Sequence, residues 1–132
     1  MKLFILLTAL TLIGCGRDDS VNVDSKYQFA VDLYLKHAPT EGYLSHLKSV
    51  EPGELPIGIY GICYIDGDER RIVINQALPE TWLTYATVAH EMAHCVHGAQ
   101  HQGNGLMSDT KVSIDPTYWE QNLESELVKL WR

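Results

Sequence analysis

Basic residues are scarce in this chain. Ten lysines and arginines stand against 17 aspartates and glutamates in 132 residues, a formal net charge of −7. They do not cluster beyond Arg70-Arg71, which suits a polar strand end, so a nucleic-acid partner is not expected. Long apolar runs are also scarce. The one at Leu3–Ile13 is too short to span a bilayer as a helix. Cysteine occurs three times, at Cys15, Cys63 and Cys95. What remains is ordinary for a globular protein, with 45% hydrophobic and 20% charged residues. The length allows one domain.

The first residues read as a targeting segment. Lys2 supplies a short positive start, Leu3–Ile13 the apolar core, and Leu12-Ile13-Gly14-Cys15 its end. This end resembles the bacterial lipobox, which implies cleavage before Cys15 and lipidation of that cysteine. Residues 1–14 are then a signal peptide and 15–23 a polar lipidated tether. Gly16 stands where an aspartate would retain the protein in the inner membrane, which implies an outer-membrane anchor facing the periplasm. Residues 24–132 form the folded domain.

Asp24 or Ser25 caps a first helix over Tyr27–His37, which Pro39 stops. His37 at its end suits the helix dipole. Residues 43–50 read as a short strand or irregular segment, with His46 an ordinary surface histidine. Glu51–Pro56 is a loop. Ile57–Ile65 is rich in β-branched and aromatic residues and predicts a strand, with Gly58 and Gly61 marking a bulge or close approach of a ligand backbone. A turn at Asp66-Gly-Asp-Glu leads to a return strand ending at Asn75. Pro79 opens a long helix to about His97, with Glu80 complementing its dipole. That helix is apolar nearly all round, which predicts burial. Asp115-Pro116 starts a last amphipathic helix carrying Tyr118, Trp119, Leu123, Leu127, Leu130 and Trp131.

The buried helix contains His90-Glu91-Met92-Ala93-His94. Residues four apart lie about 40° apart around the axis and roughly 6 Å along it, so both histidines can reach one metal ion. Glu91 is turned about 100° from His90, too far for a third ligand beside them but within reach of a metal-bound water. Zinc is the metal expected, and a catalytic zinc site wants a third protein ligand. Gly98 can end the helix in the left-handed conformation, and His101 follows three residues later, which makes it the leading candidate. His97 and a glutamate of the last helix, Glu120 or Glu124, are alternatives.

With Leu106-Met107 following, the pattern resembles the metzincin metallopeptidases, H-E-x-x-H-x-x-G-x-x-H plus a methionine turn. The glycine and last histidine come one residue late here, and His97 stands where that family has glycine. It resembles more closely small bacterial lipoproteins regarded as metallopeptidases, which carry His-Glu-x-x-His-Cys, this longer spacing and a later Met turn. The resemblance covers about Ile57–Ser108. It implies a zincin-like α+β domain, a hairpin or small sheet with an active-site helix and flanking helices. It further implies Met107 as a hydrophobic floor under the metal, and an edge strand that pairs with extended substrate.

With Cys15 lipidated, Cys63 and Cys95 remain, an even pair in an oxidising compartment. Cys95 points about 100° away from His94 and is a poor zinc ligand. Pairing with Cys63 would staple the hairpin to the helix; two buried free thiols are the other option. The combined expectation is a monomeric, lipid-anchored zinc metallopeptidase of the bacterial cell envelope. His90, His94 and His101 hold Zn2+ and Glu91 is the general base acting on a peptide or protein substrate. Tyr118 is a minor candidate for steadying an oxyanion. The rival is a non-catalytic envelope lipoprotein with a structural or scavenged metal.

Overall fold

A computed structural model describes residues 20–79, 81–108 and 115–132. The signal segment, Cys15 and most of the tether fall outside these residues, as does Glu80. The architecture is α+β, one four-stranded sheet and three helices. Among the described residues no helix is long and apolar enough to cross a membrane.

The first helix, α1 (Gln28–His37), follows a single 3-10 turn over Ser25–Tyr27. Asp24 caps that turn by accepting from the Lys26 N–H at 3.1 Å. Tyr27, Ala30, Val31 and Tyr34 recur at helical spacing and are the residues it buries. His37 and Lys36 at its end both reach Glu124 at 2.8 Å, tying α1 to the last helix.

The strands are β1 (Asn22–Val23), β2 (Leu47–Gly53), β3 (Gly61–Asp66) and β4 (Glu69–Asn75). Their spatial order is β1-β2-β4-β3, with β1, β2 and β4 mutually parallel and β3 antiparallel to β4. The β3–β4 hairpin therefore places β4 centrally and β3 at the edge. Val50, Ile72 and Ile74 are fully buried on the sheet's inner face.

Four boundaries differ from expectation. Part of the polar tether belongs to the sheet, since Asn22 and Val23 pair with Ser49 and Val50. The strand after His46 continues through Glu51-Pro52-Gly53, which sequence assigns to a loop. Pro52 is tolerated because β1 pairs only with Ser49 and Val50, so β2 is an edge at Pro52. The next strand starts at Gly61, not Ile57, because the chain turns at Ile57–Gly58 and the Ile59 N–H bonds the Pro56 carbonyl at 3.0 Å. The long helix, α2 (Trp82–His97), starts three residues after Pro79; the Pro79 carbonyl instead accepts from the Thr84 hydroxyl.

α2 is the centre of the molecule, with the sheet on one side and α1 and α3 (Pro116–Leu130) on the others. This is why so little of it is polar: twelve of its residues are buried. α3 begins as expected, with the Asp115 carboxylate accepting from the Thr117 N–H at 3.0 Å and Pro116 in its first turn. A disulfide joins Cys63 on β3 to Cys95 on α2, with Cα atoms 5.6 Å apart. Closing a 32-residue loop in this way stabilises the fold by about 3–4 kcal/mol.

Candidate metal centre and active site

His90 and His94 project from one face of α2, and Gly98 then ends the helix. Its φ of 62° and ψ of 23° are left-handed, a region glycine enters without steric cost. The Gly98 and Ala99 N–H groups return to the His94 and Ala93 carbonyls at 3.1 and 3.0 Å. The chain doubles back, and the Gln102 N–H bonds the Met107 carbonyl at 2.8 Å, closing the loop that carries His101.

This brings three imidazoles together. The Nε2 atoms of His90 and His94 lie 3.0 Å apart, those of His94 and His101 3.1 Å, and those of His90 and His101 3.2 Å. The other ring nitrogens decide the chemistry. Nδ1–H of His90 donates to the Leu106 carbonyl and Nδ1–H of His94 to the Ala99 carbonyl, each at 2.6 Å. A carbonyl only accepts, so both protons are on Nδ1 and both Nε2 lone pairs face the centre of the triangle. Converging lone pairs repel unless a cation lies between them. A tetrahedral ion with bonds of about 2.0–2.1 Å needs its nitrogens roughly 3.3–3.4 Å apart, close to what is found. These three histidines can hold a metal ion. The carbonyls that orient them are the outer partners that metal-binding histidines require.

Burial disfavours charge on these rings. It holds His90 down to about 4, outweighing the Leu106 carbonyl bond, and the neighbouring histidines push the same way. His94 is lowered for the same leading reason. Neutral imidazole is the form that binds metal.

Glu91 is 7% exposed. Burial raises its carboxyl to about 7, against the pull of a hydrogen bond from the Cys63 backbone N–H. Gly61 explains how it fits: a Cβ there would stand 2.8 Å from Glu91 Cγ, 3.1 Å from Thr87 Cγ2 and 3.2 Å from Ile74 Cδ1. The glycine thus marks close approach of α2 to β3, which runs through it without a bulge.

A cleft of about 610 Å³ opens over these groups, between β3 and the 98–101 segment, with Tyr43 and Arg70 at its rim. The free edge of β3 faces it. Asn75 N–H bonds the Tyr60 carbonyl at 2.8 Å, so alternation makes Ile62–Val73 and Tyr64–Arg71 the hydrogen-bonded pairs. The backbone groups of Gly61, Cys63 and Ile65 then point outward, consistent with Cys63 N–H reaching Glu91.

Other candidates lie elsewhere. His97 is not with the triad: its Nε2–H donates to the Pro39 carbonyl at 2.9 Å and its Nδ1 accepts from the Tyr34 hydroxyl at 2.6 Å. Two turns along α2 from His90, it faces α1 instead. Glu124 is taken by Lys36 and His37, and Glu120 is exposed on α3. Tyr118 is exposed beside Trp119 and does not line the cleft. His46 has a partner sequence did not suggest, the Asp68 carbonyl at 2.6 Å. Met107 is buried in the core, and the residue of its turn that touches a ligand is Leu106. The Cys63 N–H and the Ala99 and Leu106 carbonyls carry no sequence signal, being backbone groups. Arg70 carried one: it alternates with inward-facing Ile72 and Ile74.

No family model, curated protein or solved structure matches the chain.

Proposed function

We propose that the protein is a zinc-dependent peptidase of zincin-like design, anchored by a lipid on Cys15 in the bacterial cell envelope. One observation carries this: three Nε2 atoms converge within 3.0–3.2 Å, and the residue next to His90 on the same helix is a buried carboxylate. Three ligands rather than four leave a position for water and substrate, as catalytic zinc sites do.

His90, His94 and His101 would hold the ion. When bound, zinc supplies Lewis acidity, acidifying water and polarising a carbonyl. Glu91 takes the proton of the attacking water and delivers it to the leaving amine. The nearby Cys63 N–H favours the ionised carboxylate that takes the proton. The outward backbone groups of Gly61, Cys63 and Ile65 offer an extended peptide a strand to pair with. The Cys63–Cys95 disulfide suits an oxidising compartment and so supports the envelope location.

The test is Glu91→Gln. Zinc content stays near one per chain, while cleavage of a denatured protein substrate falls by about 10²–10⁴-fold. Undiminished cleavage by a clean preparation rejects the role of Glu91. A folded, zinc-loaded parent that cleaves nothing favours a non-catalytic metal-binding lipoprotein.

A further inference from the structure

Arg70 and Arg71 are neighbours on β4 and face opposite sides of the sheet. Arg71 has partners on its side, with Nε 3.7 Å from Glu51 and the guanidinium 5.5 Å from the Tyr64 ring. Arg70 shares the inner face with Ile72 and Ile74 and emerges at the end of α2, in the cleft. It is held there twice. Its guanidinium carbon stands 3.9 Å from the Tyr43 ring centroid, and Nη1–H donates to the Cys95 carbonyl at 2.5 Å. Tyr43 is itself fixed, since its N–H bonds the Val96 carbonyl at 2.7 Å.

Capping the helix end would account for the bond to Cys95. It does not account for the rest. An arginine has five N–H donors, and the carbonyl uses one. In a chain with 17 acidic and ten basic residues, Arg70 has no carboxylate partner among the described residues. Among the described residues it is also the only lysine or arginine lining the cleft. A partly buried, oriented guanidinium with free donors is a carboxylate receptor.

Its place along the cleft adds a distance. Arg70 lies opposite Ile65, two residues beyond Cys63, whose N–H marks the position of Glu91. Two residues of extended chain span roughly 7 Å. We infer that Arg70 is a specificity-determining residue that binds a carboxylate of the peptide substrate, about two residues from the bond presented to Glu91. This rests on the peptidase proposal. A C-terminal carboxylate and an acidic side chain are the two sources of that group.

The experiment measures binding, not turnover. Zinc-loaded Glu91→Gln protein is titrated with N-acetyl-pentaalanine as free acid or as carboxamide. It is then titrated with carboxamide peptides bearing one glutamate or one glutamine at each position in turn. A carboxylate is expected to improve affinity by about tenfold, less at high salt. Preference for the free acid identifies the chain terminus; preference for glutamate at one position identifies a side chain. Adding Arg70→Gln abolishes the preference, Arg70→Lys and Tyr43→Leu reduce it, and Arg71→Gln leaves it intact.

Equal affinity for charged and neutral peptides, or no binding of any, overturns the inference. So does a preference that survives Arg70→Gln, which places the carboxylate on the metal. The variants also read out if Arg70→Gln fails to fold: full preference in both Arg70→Lys and Tyr43→Leu is equally fatal. Zinc-loaded parent is then incubated with the peptides that bound. Preference through Arg70 without cleavage keeps the receptor and removes the peptidase.

Discussion

Cys63 grips Glu91 from one side and α2 from the other. Its backbone N–H lies close enough to the Glu91 carboxyl to pull against the effect of burial, and its sulfur is bonded to Cys95, the residue after His94. One residue thus sets the distance between the edge of β3 and the face of α2 that carries the metal ligands.

Replacing both cysteines by serine therefore has two separable effects. The melting temperature falls, reflecting a loss of about 3–4 kcal/mol. Zinc stoichiometry is unchanged, because α2 and the Leu106 and Ala99 carbonyls hold His90 and His94, and the loop closed by the Gln102–Met107 bond carries His101. Peptide cleavage falls further than zinc content. Calorimetry, elemental analysis and a cleavage assay on one sample separate these outcomes.

Gly61→Ala places a methyl group 2.8 Å from Glu91 Cγ, with the buried Thr87 and Ile74 side chains at 3.1 and 3.2 Å. The expected cost is about 1–3 kcal/mol. Glu91 is displaced, so cleavage drops while zinc binding is kept. Gly58→Ala, with no atom within 4 Å of the new carbon but a φ of 87° that strains any side chain, lowers the melting temperature and leaves cleavage by the folded protein unchanged.

Among the histidines, His101→Ala weakens zinc binding by at least about 100-fold. His97→Ala leaves zinc affinity within about threefold but lowers the melting temperature. It strips the acceptor from the Tyr34 hydroxyl, a group 0% exposed, at a cost of about 1–3 kcal/mol. A competition titration against a zinc chelator, run beside a melting curve, checks both halves.

Metal-free protein carries opposing proton linkages. Burial lowers His90 to about 4, so the unfolded chain, titrating near 6.5, binds more protons between those values. That contribution to stability is lost as pH falls from 6.5 towards 4. Burial raises Glu91 to about 7, so its contribution is present at acid pH and lost as pH rises through 7. His94 is lowered as well, so Glu91 offsets only part of the histidine contribution, and the parent's melting temperature falls modestly as pH drops from 6.5 to 4.5. Glu91→Gln removes one side and makes the chelated protein markedly acid-labile in that window. Melting curves in chelator across the range are the measurement.

The ligand geometry was legible because helical periodicity alone puts His90 and His94 on one face, and puts His97 on it too but two turns, roughly 10 Å, along from His90. Gly98 and the following His101 were legible for a related reason, that a left-handed glycine redirects a chain predictably. The disulfide followed from counting cysteines. What sequence could not supply was long-range pairing. Nothing in residues 57–75 says that the hairpin inserts β4 beside β2 and leaves β3 at the edge. The strand through Pro52 was hidden because proline argues against a paired strand unless a neighbour is missing. Arg70 looked like a strand-end charge because its stacking partner, Tyr43, is far away in the chain.

The two-residue strand β1 fixes an orientation. Asn22 and Val23 join the sheet at the edge farthest from β3, three strand spacings or roughly 14 Å away. Whatever holds the chain upstream of Asn22 pulls on the flank opposite the cleft. If that holder is a lipid in a membrane, the histidines turn outward from the bilayer. A shorter tether would then narrow the volume the protein can sweep without burying its mouth, and reach, not access, would decide which chains it meets.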